Sequence, residues 1–215
     1  MRLITQYKVF KNVVDIPDYV SSYIYQESKK GDPIFNNKYD EDSGDGKRSQ
    51  YDFNCKIGIH FKQTLRKFMK TKGFLKHYLK DLVIVRSEPY CKRQKLHIDY
   101  DKDKLRSMKK RDYPYGIIVG VSDNSRFIVS INNRVQTIHI NKGDVIIFRG
   151  DLVHAGAEYY SENVRLHAYI DSVKYKREKN RTYIQEWFDD LVIEGFFKRF
   201  LGNWTTFYRF SENIG

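Results

Sequence analysis

Between residues 82 and 171 the sequence breaks into eight short runs rich in β-branched and aromatic residues, and this spacing limits the possible folds more than any other feature of the chain. The runs are Leu82–Arg86, Leu96–Tyr100, Tyr115–Val121, Arg126–Ile131, Val135–Ile140, Val145–Arg149, Leu152–Ala155 and Val164–Ile170. Turn signals close most of them: Ser122-Asp123-Asn124-Ser125, Asn132-Asn133-Arg134, Asn141-Lys142-Gly143-Asp144 and Ser161-Glu162-Asn163. A parallel α/β sheet would show strands alternating with long helices, whereas these short strands are mostly separated by turn signals. The pattern predicts an antiparallel sandwich or jelly roll.

The flanks read differently. Residues 18–29 place Val20, Tyr23, Ile24 and Glu27 at helical spacing, and residues 59–72 do the same for Phe61, Leu65, Phe68 and Met69. After Gly73 a second short helix is expected, carrying Leu75, Tyr78, Leu79 and Leu82. These stripes are core packing. Residues 31–54 lose all periodicity and read as a polar loop, whose acidic turn-rich stretch Asp40–Gly46 does not follow the order of a calcium-binding loop. The tail at 181–200 returns to helical spacing through Ile184, Trp187, Phe188, Leu191 and Val192. One domain over 1–215 is expected: a helical cover over 1–81, a β core over 82–171 and a helical extension over 172–215.

Composition narrows the setting. With 40% apolar residues in 215, the chain can build a core, and no apolar run approaches the roughly 20 residues of a membrane span. No signal-peptide core is present at the start, so a soluble, intracellular protein is expected. Cys55 and Cys91 form neither a disulfide framework nor a zinc motif. The net charge of +12 would steer acidic partners toward the surface, although a coding bias toward Lys, Asn, Ile and Tyr accounts for it equally well.

The chemistry gathers in three of the predicted strands. His97 and Asp99 are two residues apart, so a strand points both to one face while Leu96, Ile98 and Tyr100 face the other way. His154 follows after a hairpin-rich stretch long enough to return alongside. Two imidazoles and one carboxylate make a facial triad suited to Fe(II), with positions left open. The last run alternates cleanly, with Val164, Leu166, Ala168 and Ile170 on one face and Arg165, His167, Tyr169 and Asp171 on the other. A guanidinium fixed there can bind a distal carboxylate in two parallel charge-assisted bonds.

Together, H-x-D at His97 and Asp99, the distal His154 and Arg165 eleven positions later resemble the Fe(II)/2-oxoglutarate-dependent dioxygenases over residues 82–171. The resemblance implies a double-stranded β-helix, a distorted, cupin-like jelly roll. It implies that His97, Asp99 and His154 hold Fe(II) and that Arg165 meets 2-oxoglutarate. It further implies turnover of that cosubstrate with O2 to succinate and CO2, coupled to hydroxylation. His167, where some members carry a Ser that helps bind the cosubstrate, is assigned the same supporting role. The segment Leu82–Tyr90 resembles prolyl hydroxylases, but those usually carry Lys where Arg165 stands, and the Tyr they use for the cosubstrate is replaced by Ser87 or Glu88. The second Arg of nucleic-acid demethylases is replaced by Asp171. Basic stretches at 92–95, 102–111 and 174–181 read either as a rim around the substrate entrance or as solvated loops. The expected partner is an acidic protein or nucleic-acid substrate, with a protein side chain favoured over a nucleobase. The competing reading is a basic β-helix module that binds nucleic acid around a vestigial or structural metal site.

Overall fold

In the computed structural model, which describes residues 6–34, 46–175, 177 and 182–185, every one of the eight expected runs contributes a strand. The elements are β1 (Tyr7–Phe10), α1 (Asp18–Ser28), β2 (Asp32–Pro33), β3 (Arg48–Asp52), α2 (Lys56–Thr71), β4 (His77–Ser87), β5 (His97–Ile98) and α3 (Lys102–Arg106), followed by a 3-10 turn at Lys110–Asp112. There follow β6 (Tyr115–Gly120), β7 (Ser125–Ile131), β8 (Arg134–Ile140), β9 (Val145–Arg149), β10 (Val153–Gly156), β11 (Asn163–Ser172) and β12 (Tyr183–Ile184). Among the described residues they pair into a seven-stranded sheet, β1-β9-β6-β11-β4-β3-β2, and a five-stranded sheet, β12-β5-β10-β7-β8. All the pairings are antiparallel, and neighbours in the sheets are often distant in sequence, as a jelly roll requires.

The apolar alternation decides which face of the large sheet meets which layer. Val164, Leu166, Ala168 and Ile170 of β11 share an outer core with Leu79, Leu82 and Ile84 of β4, and α1 and α2 cover it with Val20, Ile24, Phe61, Leu65 and Met69. On the inner side, Ile118, Ile146 and Phe148 meet Phe127, Val129 and Leu152 of the small sheet and its turn. β9 is apolar throughout Val145–Phe148 because both of its faces are covered. Each such side chain withdrawn from water is worth roughly 1.5–3 kcal/mol, so the core ties the helices and sheets together. Asn132 and Asn133 turn the β7–β8 hairpin with φ of 50° and 60°, values that Asn tolerates and a two-residue hairpin demands.

Four expectations are corrected. The segment after Gly73 is the first half of β4, not a helix. Asp81, at φ 47°, and Leu82 together oppose the single Ala168 in a bulge, which brings Leu79 and Leu82 to the same face and imitates a helical i, i+3 spacing. The stretch 31–54 is not merely a loop, since β3 pairs along β4 from Arg48↔Ser87 to Asp52↔Val83, with β2 at its edge. The basic stretch at 102–111 is not simply a solvated loop, since it contains α3, where Asp101 Oδ1 accepts the N–H groups of Asp103 (2.9 Å) and Lys104 (3.1 Å) and Leu105 is buried. The helical reading of 181–200 fails at Tyr183–Ile184, which pairs with β5; residues 186–200 and the acidic stretch at 40–45 lie outside the described residues. No described helix is long and apolar enough to cross a membrane.

Candidate active site

The small sheet builds one wall of the site. β5 and β10 place His97 directly opposite His154, with ring centroids 4.5 Å apart, and Asp99 follows on the same side as His97. The carboxylate lies between them: Asp99 Oδ1 is 4.0 Å from His97 Nε2, and Oδ2 is 3.6 Å from His154 Nε2. One ligand atom from each of these three buried residues falls within 4.8 Å of the others, the only such His/Cys/Asp/Glu group among the described residues. His60 and His139 are exposed, and His77 hydrogen-bonds the Tyr113 carbonyl at 2.9 Å, so none of the three joins a ligand set.

The backbone fixes the tautomers. His97 Nδ1 lies 2.8 Å from the Lys95 carbonyl and His154 Nδ1 lies 2.9 Å from the Leu152 carbonyl. A carbonyl can only accept, so Nδ1 carries the proton in each ring and Nε2 presents its lone pair to the shared space. Asp99 Oδ2 is buried with no hydrogen-bond partner. A buried carboxylate that faces two imidazole lone pairs, with one of its oxygens orphaned, fits a divalent cation, because without one that oxygen has lost its water and gained nothing. Burial raises the Asp99 carboxyl, but His154, His167, His97 and Arg177 outweigh it and hold the group below the usual carboxylate range. Burial pushes both His154 and His167 down to about 4, so both are neutral near pH 7.

The large sheet supplies the opposite wall. On β11, Arg165, His167 and Tyr169 face inward, as their alternation predicts. His167 Nε2 stands 3.9 Å from Asp99 Oδ2, and its ring packs on Tyr169 and parallel to Phe148. Phe127 and Phe148 also flank His154, at centroid distances of 5.1 and 4.8 Å. Phe148 reaches across β6 only because residue 116 is glycine; a Cβ there would sit 2.1 Å from its ring.

Arg165 is buried, and its guanidinium meets neutral groups: Ser87 Oγ at 3.1 Å, Asn163 Oδ1 at 3.4 Å and the Tyr159 ring at 5.9 Å. The acids it could have matched are engaged elsewhere, Asp144 with Lys11 at 2.7 Å and Asp151 with Arg149 at 2.5 Å. A buried cation without a carboxylate counter-ion is expensive unless an anion arrives.

Several residues here carry no sequence signal. Arg48, on the unpredicted β3, is buried and donates to Ser87 Oγ (2.7 Å), the Lys92 carbonyl (2.7 Å) and the Ala157 carbonyl (2.5 Å). Ser87 thus accepts from two guanidiniums, which leaves its own proton to donate. Gln94 Oε1 accepts the Gly156 N–H at 2.8 Å, and a Cβ on Gly156 would collide with both Gln94 and Arg48. Arg177 stacks 3.5 Å over Tyr169 and pairs with Asp81 at 2.9 Å, adding positive charge behind the triad. The 174–181 stretch was legible only as a charge run, not as a source of this contact.

No family model and no curated protein matches the sequence. Solved structures do share the fold. HygX from Streptomyces hygroscopicus, with nickel, 2-oxoglutarate and hygromycin B bound, is 12% identical with a TM-score of 0.59, over 81% of this chain and 86% of that one. A Pseudomonas putida prolyl-4-hydroxylase is 10% identical with a TM-score of 0.57, over 79% and 95%. A viral collagen prolyl hydroxylase from Paramecium Bursaria Chlorella virus-1, in its 2-oxoglutarate complex, is 16% identical with a TM-score of 0.53, over 79% and 97%. The chain therefore has the double-stranded β-helix fold found in 2-oxoglutarate- and iron-dependent oxygenases, and between its two sheets it carries a His97–Asp99–His154 facial triad.

Proposed function

We propose that the protein is a dioxygenase dependent on Fe(II) and 2-oxoglutarate, hydroxylating a macromolecule of acidic character. The observation that carries this reading is the pairing of two unmet needs in one site: a carboxylate beside two imidazole lone pairs with one oxygen lacking a hydrogen-bond partner, and a buried guanidinium lacking a carboxylate among the described residues. A divalent metal chelated by a dicarboxylate meets both. When bound, iron supplies the coupling of O2 reduction to oxidative decarboxylation, giving succinate, CO2 and a hydroxylated C–H position.

The chain's own residues orient and protect. His97 and His154 offer Nε2, held in place through their Nδ1 bonds to backbone carbonyls, and Asp99 supplies the negative charge. Arg165 receives the far carboxylate of 2-oxoglutarate, with the Ser87 hydroxyl donating beside it. His167, neutral on the same strand face as Arg165, would support the cosubstrate. Phe127 and Phe148 keep water from the metal side. The choice of a large, acidic substrate rests on the exposed cations at Lys102, Lys104, Arg106, Lys109, Lys110 and Arg111, which immediately follow the triad's first two residues.

Anaerobic titration tests the assignment. One Fe(II) per chain should bind the wild type and fail to bind His97→Ala or Asp99→Ala, and 2-oxoglutarate should bind tightly only once metal is present. Unchanged metal stoichiometry in both variants would refute it.

A further inference from the structure

Between Asp52 and Asp81 the chain contains no acidic residue. The 27 acids in 215 residues, about one in eight, would place three or four in the 28 residues between them. The same stretch holds eight cations: Lys56, Lys62, Arg66, Lys67, Lys70, Lys72, Lys76 and Lys80. A codon bias raises Lys everywhere but does not clear Asp and Glu from one segment. The clearing falls on α2 and its flanks, and α2 shows why it has a direction. Gly58, Phe61, Leu65 and Met69 are buried against the large sheet, so the remaining charged positions face outward. At ~100° per residue, Arg66, Lys70, Lys56 and Lys67 fall within about a third of the circumference, and all four are exposed. Lys62 borders them and bonds only the neutral Asn54 Oδ1, at 2.7 Å. None of these five is in an ion pair among the described residues, whereas cations elsewhere on the surface, such as Lys30, Arg106, Arg126 and Lys142, have acidic partners.

We infer that the outer face of α2 is a docking surface for the phosphate backbone of a nucleic acid. The five cations span about 21 Å of helix axis, over which a duplex presents roughly a dozen phosphates, so they are neutralised in any register along it. A folded protein partner is a poorer match, because the face offers no exposed aromatic anchor. An anionic membrane is also a poorer match: the exposed apolar side chains nearby, Ile59 and Leu75, stand far apart at opposite ends and form no continuous surface to insert. α2 covers the outer face of the large sheet, while the triad lies on its inner side. Docking therefore acts by retention at a distance from the chemistry. The inference stands independently of the iron reading, and binding through α2 requires neither metal nor cosubstrate.

The test is fluorescence anisotropy of the full chain with labelled 20-mer duplex and single-stranded oligonucleotides, without metal, from 50 to 300 mM salt. Two variants are compared, K62E/R66E/K67E/K70E on α2 and K102E/K104E/K109E/K110E beside the triad, each checked for an unchanged melting transition. The α2 variant is expected to lose at least tenfold in affinity at 100 mM salt, with the slope of log K against log salt about three units shallower, while the second variant changes far less. His97→Ala should bind nucleic acid as the wild type does. Equal losses in both charge variants would overturn the inference, because only net charge would then matter. So would wild-type protein that fails to bind either oligonucleotide, or that binds anionic phosphatidylserine vesicles in their place.

Discussion

Removing the Arg165 charge while keeping its bulk, in Arg165→Met, gives opposite effects on ligand binding and on the empty fold. The guanidinium can offer the far carboxylate of 2-oxoglutarate two charge-assisted hydrogen bonds of about 1.5–3 kcal/mol each. Some of that is recovered by the Ser87 hydroxyl, so about 3–4 kcal/mol should be lost, a weakening of roughly two to three powers of ten. Fe(II) affinity should stay within a few-fold, because His97, Asp99 and His154 are untouched. The protein without ligands should be no less stable. Among the described residues Arg165 faces no carboxylate, Ser87 keeps its bond from Arg48, and Asn163 loses only the long 3.4 Å contact to its Oδ1. The relief of burying an uncompensated charge offsets the lost contacts. Anaerobic calorimetry gives both affinities, and thermal melts with and without 2-oxoglutarate give the stability. Equal losses of Fe(II) and 2-oxoglutarate affinity, or a sharp drop in the ligand-free melting temperature, would show Arg165 to be a structural residue.

Three further outcomes follow from the same contacts. Arg48→Ala removes bonds to Ser87 and to two carbonyls that link β3 to the chain before β5 and after β10, so the unfolding free energy from denaturant titration should fall by about 3 kcal/mol, with partial recovery in Arg48→Lys. Asp144→Ala deprives Lys11 Nζ and the N–H groups of Asn12 and Asn141 of their acceptor and should cost about 2–3 kcal/mol in the same assay, while Asp123→Ala, at an exposed turn, costs far less. Burial lowers the pKa of His77 despite its bond to the Tyr113 carbonyl and the nearby Asp112. Its contribution is therefore complete above the ordinary histidine pKa and is lost as pH falls through about 6.5 toward the folded value. His77→Gln should flatten stability against pH in that window, and an unaltered profile would rule the group out.

The fold's β core was legible because both of its signals are local. Alternation in Val164–Asp171 sorts inward from outward side chains without knowledge of any neighbour, and Asn132-Asn133 names its own hairpin. The same holds for two members of the triad, since H-x-D needs only a strand to put two ligands on one face, whereas His154 joins them through the pairing of β10 on β5. Where long-range pairing decides, the pattern misleads. Leu79 and Leu82 share a face because Asp81 bulges against Ala168, a fact held in β11, 87 residues further along the chain. Arg48 lies in a stretch with no period, and only the pairing of β3 on β4 brings it to Ser87. Arg177 reaches Tyr169 from beyond the last long strand, and its charge looks like that of any neighbouring Lys until the chain is folded. The cation row on α2 was visible as residues, but its amphipathic stripe drew the reading to the buried face.

The central claim is that iron at the triad and 2-oxoglutarate at Arg165 make a working oxygenase. The most direct measurement is succinate formed from 2-oxoglutarate when anaerobically reconstituted Fe(II) protein is exposed to air, with His97→Ala and Arg165→Ala alongside. Succinate from the wild type, absent from His97→Ala and recovered in Arg165→Ala only at much higher 2-oxoglutarate, is the predicted result. Succinate at equal rates in all three proteins, or a wild type that binds neither Fe(II) nor 2-oxoglutarate and forms none, would contradict it.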